Sequence, residues 1–258
     1  MNFYVMTLFP EMIDSGTSES IIGRARKNGL VSVRSVNIRD YAEEKRHGRI
    51  DDYPYGGGAG MVMQAKPVCD CCESVRAMID QDGGDGKTAR VIYLTPQGRR
   101  LDQKMAQSLA DERDLILLCG HYEGVDERAL ELIGTENVSI GDYVLTGGEL
   151  PALVLIDCIS RLIPGVLGGD ESALIETFHD NLLEYPQYTR PEEYMGLKVP
   201  DILLSGHHEN VDKWRRERSI ERTFRLRPDL LSDASLTKKE QKFLASLKEQ
   251  SEGNTEGF

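Results

Sequence analysis

Long apolar runs are missing from this 258-residue chain. No stretch approaches the roughly 20 residues needed to cross a bilayer, so no transmembrane helix is expected. The N-terminus, Met1-Asn2-Phe3-Tyr4-Val5-Met6, has no basic region ahead of its apolar run, which argues against a signal peptide. Cysteine is scarce and odd in number, five in all. The five sit in apolar or helical contexts, which fits a reducing, cytoplasmic setting. Cys69, Cys71 and Cys72 are close in sequence, but no second Cys or His cluster at zinc spacing accompanies them. Cys69 and Cys72 are read as sharing one helix face, and no metal site is expected. His179, His207 and His208 also lack partners at metal spacing and are read as surface residues.

Two nucleotide signatures are absent as well. Gly86-Lys87-Thr88 resembles the end of a phosphate loop. However, Gln81 stands where the first glycine is required, and no strand leads into it. The run Tyr55-Gly56-Gly57-Gly58-Ala59-Gly60-Met61 lacks the third glycine of the dinucleotide fingerprint, because Met61 occupies that place. It reads equally as a flexible loop or as one shaped for close approach to a nucleotide. No internal repeat is present.

What remains is an ordinary globular composition, 40% hydrophobic and 29% charged, enough for one large domain or two modest ones. Net charge is −12, which by itself argues against a nucleic-acid partner. The average conceals an asymmetry. Residues 213–227 hold seven basic and two acidic side chains, a local +5 that leaves −17 for the rest. Arg215, Arg218, Arg222 and Arg225 recur at helical spacing and form one stripe. A basic face on an acidic body fits a polyanion that docks in one place. A solvated charge stripe is the alternative, opposed by the shortage of local acids. Trp214 and Phe224 are read as anchors of this helix rather than base-stacking groups.

Along the chain, Phe3 to Phe9 and Leu30 to Val36 read as strands, with a helix from Glu11 to Lys27 between them. Arg90 to Thr95 and Asp114 to Cys119 are short apolar runs of buried-strand type. Leu101 to Ala110 and Val125 to Ile133 fit intervening helices. The alternation implies a mainly parallel α/β sheet. Gln81 to Lys87 reads as a surface loop. After Ile163 the breaker-rich, acidic stretch Pro164 to Ser172 reads as a linker. Beyond it strand signals fade, and His207 to Arg222 and Thr237 to Gln250 read as helices of a smaller domain. The tail, Ser251 to Phe258, is expected to fray.

The most informative stretch is Ser139 to Pro151. A strand-like run from Val138 to Leu145 is cut by Gly141 and closes on Gly147-Gly148, and a helix-like run from Glu149 to Leu162 follows. Three glycines around Tyr143 suit a pocket walled mostly by main chain. Leu94 to Arg99 and Cys119 to Gly124 are two further Gly- or Pro-bearing loops, each ending a strand. Three such loops at the carboxyl ends of parallel strands converge on one crevice.

The chain also resembles a known family. The segments that carry the resemblance are Leu8 to Met12, Asp51 to Gly58, Tyr93 to Gly98, Cys119 to Arg128, Ser139 to Pro151, Ser160 to Gly168, Tyr188 to Glu192 and Leu203 to His208. On these it resembles the bacterial tRNA (guanine-N1)-methyltransferases, the TrmD family of the SPOUT class. The resemblance implies an α/β fold with a C-terminal trefoil knot in the catalytic domain and a small helical C-terminal domain. Sequence reasoning alone would not propose a knot. The implied domains are a knotted S-adenosylmethionine-binding domain over 1–163, a linker over 164–178 and a tRNA-binding helical domain over 179–258. The implied partners are tRNA and a second copy of the chain, with active sites at the dimer interface, and neither DNA nor membrane. The implied product is N1-methylguanosine at tRNA position 37, 3′ of the anticodon.

By the same resemblance, Tyr93, Leu94, Thr95, Pro96 and Gly98 would line the adenosine side of S-adenosylmethionine, above Gly120, Tyr122 and Glu123. Ile140, Gly141, Asp142, Tyr143, Val144 and Leu145 would offer backbone contacts to the adenine, with Ser139, Gly147, Gly148 and Pro151 completing the site. Gly57, Gly58, Ser172, Arg190, Arg215, Arg218 and Arg222 would touch tRNA. Arg161 would stabilise charge on guanine O6, where a permanently charged, multi-donor guanidinium suits the task. Glu176 would be the base at N1. It stands where the family usually carries aspartate, so it keeps the carboxylate and adds a methylene; Asp170 and Glu171 are its rivals. His121 is a second departure, since arginine is common there in relatives. Family members are associated with Mg2+, for which the sequence offers no dedicated ligand cluster. Three alternatives stay open: a SPOUT enzyme acting on another RNA position, a tRNA-binding homologue without activity, and a different nucleotide-binding α/β enzyme such as a nucleotide hydrolase.

Overall fold

A computed structural model describes residues 1–43, 48–168, 178 and 180–253. The chain divides into two compact units, Met1–Asp170 and Glu171–Phe258.

The first unit opens with β1 (Asn2–Thr7), α1 (Pro10–Gly16), α2 (Ser20–Lys27) and β2 (Ser32–Asn37). A small hairpin, β3 (Asp51–Asp52) and β4 (Val62–Met63), leads into α3 (Ala65–Gln81). Then come β5 (Arg90–Arg100), α4 (Gln103–Ala110), β6 (Asp114–Cys119), α5 (Glu127–Ile133), β7 (Thr135–Ser139) and α6 (Glu149–Ser160). Five strands form one parallel sheet in the order β2-β1-β6-β5-β7.

Every residue of β6, the middle strand, is buried, as a parallel strand covered on both faces requires. Alternation along the strands divides the core in two. Tyr4, Met6, Ile116 and Leu118 face a cluster completed by Val68, Cys71, Cys72 and Val75 of α3 and by Ala129 and Ile133 of α5. Phe3, Val5, Leu115 and Leu117 face a second cluster with Ile13, Ile22, Leu109, Leu155 and Ile156, from α1, α2, α4 and α6. Cys71 and Cys72 are fully buried in α3, and burial pushes the Cys72 thiol up to about 11.

Three elements differ from the sequence reading. The helix expected over Glu11 to Lys27 is two helices. The Thr17 hydroxyl donates to the Ile13 carbonyl at 2.9 Å and the Ser18 hydroxyl to Ser15 at 3.0 Å, so side chains take up the last carbonyls of α1. The strand expected to end in the loop from Leu94 to Arg99 instead runs on to Arg100. Its pairing to β7 slips between Leu94 and Arg99, so Thr95 to Gly98 form an irregularity inside the strand. Pro96 has no N–H to give a ladder, and a bulge tolerates that. The strand expected over Val138 to Leu145 stops at Ser139. The Ser139 hydroxyl accepts the Gly141 N–H at 3.1 Å, and Tyr143 N–H donates to the Gly141 carbonyl at 3.0 Å. These local bonds close a turn in place of a ladder.

The second unit holds a two-residue hairpin, β8 (Glu193–Tyr194) and β9 (Leu197–Lys198), which the sequence did not suggest. It continues with α7 (Asp201–Leu204), α8 (His208–Leu226) and α9 (Lys238–Gly253). Thr223 of α8 is fully buried: its hydroxyl donates to Ser219 at 2.7 Å and accepts the Leu183 N–H at 2.8 Å. Arg216 of α8 is gripped by Asp180 and by Glu240 of α9.

Leu117 sits in register between Val5 and Ile92 and is wholly buried. Leu117→Ala is expected to lower stability by about 2–5 kcal/mol, through lost transfer energy and the cavity left behind. Urea denaturation followed by far-UV circular dichroism measures it.

Candidate active site

A cavity of about 400 Å³ opens at the carboxyl ends of β5, β6 and β7. That lies within the range of small-molecule sites, ~300–1,000 Å³. Its walls are Tyr93 to Gln97 of β5, Gly120 to Val125 after β6 with Glu127 of α5, Val138 to Gly148 at and beyond the end of β7 apart from Asp142, and Pro151 of α6. Of the donor-site residues expected from the sequence, Gly98 and Asp142 do not line the cavity and all the others do. Gln97, Gly124, Val125, Glu127, Val138 and Thr146 line it without having been singled out.

Missing side chains set the width of the cavity. A Cβ on Gly98 would stand 2.4 Å from the backbone nitrogen of Val138. On Gly148 it would stand 2.6 Å from the Cys119 Cα, and on Gly120 it would stand 2.8 Å from the Tyr93 ring. These strands and loops reach one another only because those atoms are absent. Tyr143, Val144 and Leu145 remain exposed, so this wall presents apolar side chains and main chain rather than charge. Burial pushes the Tyr93 phenol up, so it stays neutral.

A buried polar triad lies behind the cavity. Glu149, on the first turn of α6, is only 2% exposed. Its Oε1 accepts the Thr7 hydroxyl at 2.6 Å, and its Oε2 lies 2.7 Å from His121 Nε2. Burial pushes this carboxyl up, but the bonds from His121 and Thr7 outweigh that and hold it below its ordinary value. The carboxylate therefore accepts from both, and the network puts a hydrogen on His121 Nε2. Sequence reasoning missed Thr7 and Glu149. The available signal was one acid opening an otherwise apolar helix, Glu-Leu-Pro-Ala-Leu-Val-Leu-Ile.

The glycine-rich run is the tip of the β3–β4 hairpin and is tied to the cavity. Glu123 N–H donates to Met61 at 3.0 Å, and Met63 N–H to Gly124 at 2.9 Å. Gly60 has φ +86°, a left-handed conformation that favours glycine, and a Cβ there would press on the Glu123 side chain. Gly57 and Gly58 are exposed, as are Tyr53 and Tyr55.

Of the other expected site residues in the first unit, Arg161 does not line the cavity. Arg161 caps the far end of α6, the helix whose first turn borders the cavity. Asp170, Glu171, Ser172 and Glu176 lie outside the described residues, as does His179. Arg190, Arg215, Arg218 and Arg222 belong to the second unit. On α8, Arg215 pairs with Asp212 at 3.3 Å and stacks on Tyr185, Arg218 pairs with Glu221, and Arg222 and Arg225 are exposed. The expected local shortage of acids is thus partly made good, since Asp180, Asp212 and Glu240 come in from outside the basic stretch. Trp214 is half-buried with its ring 6.4 Å from Tyr188. His207 and His208 are exposed. Among the described residues no group of three or more His, Cys, Asp or Glu could hold a metal ion. Nor is any described helix long and apolar enough to cross a membrane.

Comparison with known proteins agrees with this geometry. A family model described as tRNA (Guanine-1)-methyltransferase TrmD matches residues 1–233. A tRNA (guanine-N(1)-)-methyltransferase of Lachnospira eligens is 62% identical over 233 residues, 90% of this chain and 96% of that protein. The protein of the same name from Lachnoclostridium phytofermentans is 55% identical, covering 96% of this chain and 97% of its own length. A third, from Alkaliphilus oremlandii, is 55% identical over 244 residues.

Gly148→Ala places a methyl group against backbone that cannot yield. It is expected to cost about 1–3 kcal/mol of stability. Gly168→Ala, with nothing within 4 Å, serves as the control; it should stay within about 0.5 kcal/mol of the parent. Thermal melting of both variants checks the pair.

Proposed function

The chain belongs to the tRNA (guanine-1)-methyltransferase family, and we propose that it transfers a methyl group from S-adenosylmethionine to N1 of guanosine 37 in tRNA. The observation that carries this reading is the cavity where three family-matching segments meet, Tyr93 to Gly98, Cys119 to Arg128 and Ser139 to Pro151. Its donor set fits the methyl donor. The cradle has the volume for a nucleoside-sized ligand, and its glycines leave main chain in reach of a flat base. Apolar Leu94, Ile140, Leu145 and Pro151 stand among its lining groups.

When bound, S-adenosylmethionine supplies a methyl group made electrophilic by its sulfonium. The protein does the rest by placement. Guanine N1 carries a proton, so a carboxylate must take it as the new N–CH3 bond forms, and a cation must meet the charge that builds on O6. We assign the first role to Glu176, with Asp170 as its rival, and the second to Arg161. Arg161 ends α6, about 15 Å along the helix from Pro151 in the cavity wall, at 1.5 Å per residue. That separation supports a site completed by a second copy of the chain. Leu150 and Val154, one turn apart on α6, are exposed apolar residues, as are Phe9, just before α1, and Met12 within it. We assign this face to the homodimer contact. The close approaches at Gly98 and Gly148 support a knotted passage of the chain after β7. Gly57, Gly58, Ser172, Arg190 and the α8 arginines are assigned to tRNA. Magnesium, if it assists, does so without a dedicated protein site.

Mass-spectrometric mapping of nucleosides from tRNA incubated with protein and donor should place one methyl on N1 of guanosine 37. A methyl on another atom or position overturns the assignment. Glu176→Gln should abolish transfer while donor binding persists; near-normal turnover would move the base to Asp170. Arg215→Ala with Arg222→Ala should weaken tRNA binding and lower the slope of log affinity against log salt by up to about 2, one unit per lost phosphate contact. Binding titrations at several salt concentrations read that slope.

A further inference from the structure

The buried triad has a function that the proposed chemistry does not use. We infer that Glu149 is the positioning residue of the donor site, acting through His121 to hold the loop His121 to Gly124 against the turn at Gly147. This rests on reading the cavity as the donor's.

The geometry is specific. Glu149 is the only member of the triad that touches both others: one oxygen holds Thr7 at the end of β1, the other holds His121 after β6. Thr7 Oγ1 also accepts the Phe9 N–H at 2.9 Å, so its single hydroxyl hydrogen is committed to Glu149. The His121 backbone and ring are fixed from three further sides. Its backbone N–H donates to Met63 Sδ at 3.3 Å, and the Phe9 ring stands 5.1 Å from it, centroid to centroid. A Cβ on Gly147 would lie 2.2 Å from its Cε1, so the ring fills the space that this glycine leaves open. Three separate segments of chain thus converge on His121, and the carboxylate behind it sets the ring's orientation.

The loop that His121 begins is strained. Tyr122, a cavity residue, has φ +59°, a left-handed conformation that costs a non-glycine residue energy. Such a conformation persists only where its surroundings over-determine it. Here the restraints are the His121 side chain at one end of the turn, the Gly124 N–H to His121 carbonyl bond of 3.2 Å across it, and the two backbone bonds that tie Glu123 and Gly124 to the hairpin. Without the carboxylate, the imidazole N–H and the Thr7 hydroxyl would both be left unpaired. The ring would lose its fixed orientation, and Tyr122 could relax out of the cavity wall. Glu149 itself is not a cavity-lining residue, so its side chain reaches a ligand through His121, the lining residue it bonds.

The test is a double-mutant cycle read as S-adenosylmethionine affinity by titration calorimetry, with thermal melting in parallel. Glu149→Ala and His121→Ala should each weaken donor binding by about 10-fold, the size expected when a buried polar partner is removed. The double variant should bind no more weakly than His121→Ala, because one residue works through the other. Glu149→Gln can still accept from Thr7 and donate to a neutral imidazole. It should recover most of the affinity and covers the case in which the alanine variant does not fold. In steady-state assays the loss should appear in the donor KM rather than in kcat. Parental donor affinity in Glu149→Ala overturns the inference, and so do losses that simply add in the double variant. No binding of donor by the unaltered chain is a different result, and it overturns the reading of the cavity itself.

Discussion

At Gly98 and Gly148 two stretches of main chain approach so closely that one methyl group would overlap the neighbouring backbone. The rest of the first unit is arranged around that closeness. β5 can pair with β7, slip, and pair again only because Gly98 lets Val138 lie against it. α6 can start beside Cys119 only because Gly148 leaves room. The cavity is what remains between these contacts, so its shape is a property of the backbone path. The helices packed on both faces of the sheet hold that path in place.

Charge is divided between the two units in a way that net charge hides. The most buried carboxylate among the described residues of the first unit, Glu149, stays charged and is stabilised by hydrogen bonds. In the second, the arginines of α8 fall into two groups. Arg216 is spent on Asp180 and Glu240 and serves the packing of the helices. Arg222 and Arg225 stay exposed, and Arg215 is stiffened by Tyr185 while remaining part-exposed. A held guanidinium loses less freedom when it meets a phosphate than a mobile one does.

Burial decided what could be read from the sequence. Asp114 to Cys119 was legible to the residue, because a continuous apolar run bounded by polar groups fits a fully covered strand. The convergence of the three loops was legible for a related reason: strand order places the carboxyl ends together whatever the side chains are. The end of β5 was misread because Thr95-Pro96-Gln97-Gly98 carries every local sign of a stop. The strand resumes only through its pairing with β7, about 40 residues further along. Hydroxyl side chains misled in the same way at Thr17 and Ser139, where a local bond replaced a longer element. Glu149 could not be found from its neighbours at all. An acid in the first turn of a helix is an ordinary capping choice. Its partner Thr7 lies 142 residues away in sequence, so the meaning of the residue exists only in the folded chain.

Walls made of main chain also bear on how the cavity can change. A point substitution replaces a side chain and leaves the peptide groups where they were. At Gly98 and Gly148, any replacement moves the backbone apart before it alters recognition. A competing small molecule that engages the same peptide groups would therefore be hard to escape by mutation, since the changes that exclude it also disturb the fold. The same arrangement limits drift toward new ligands.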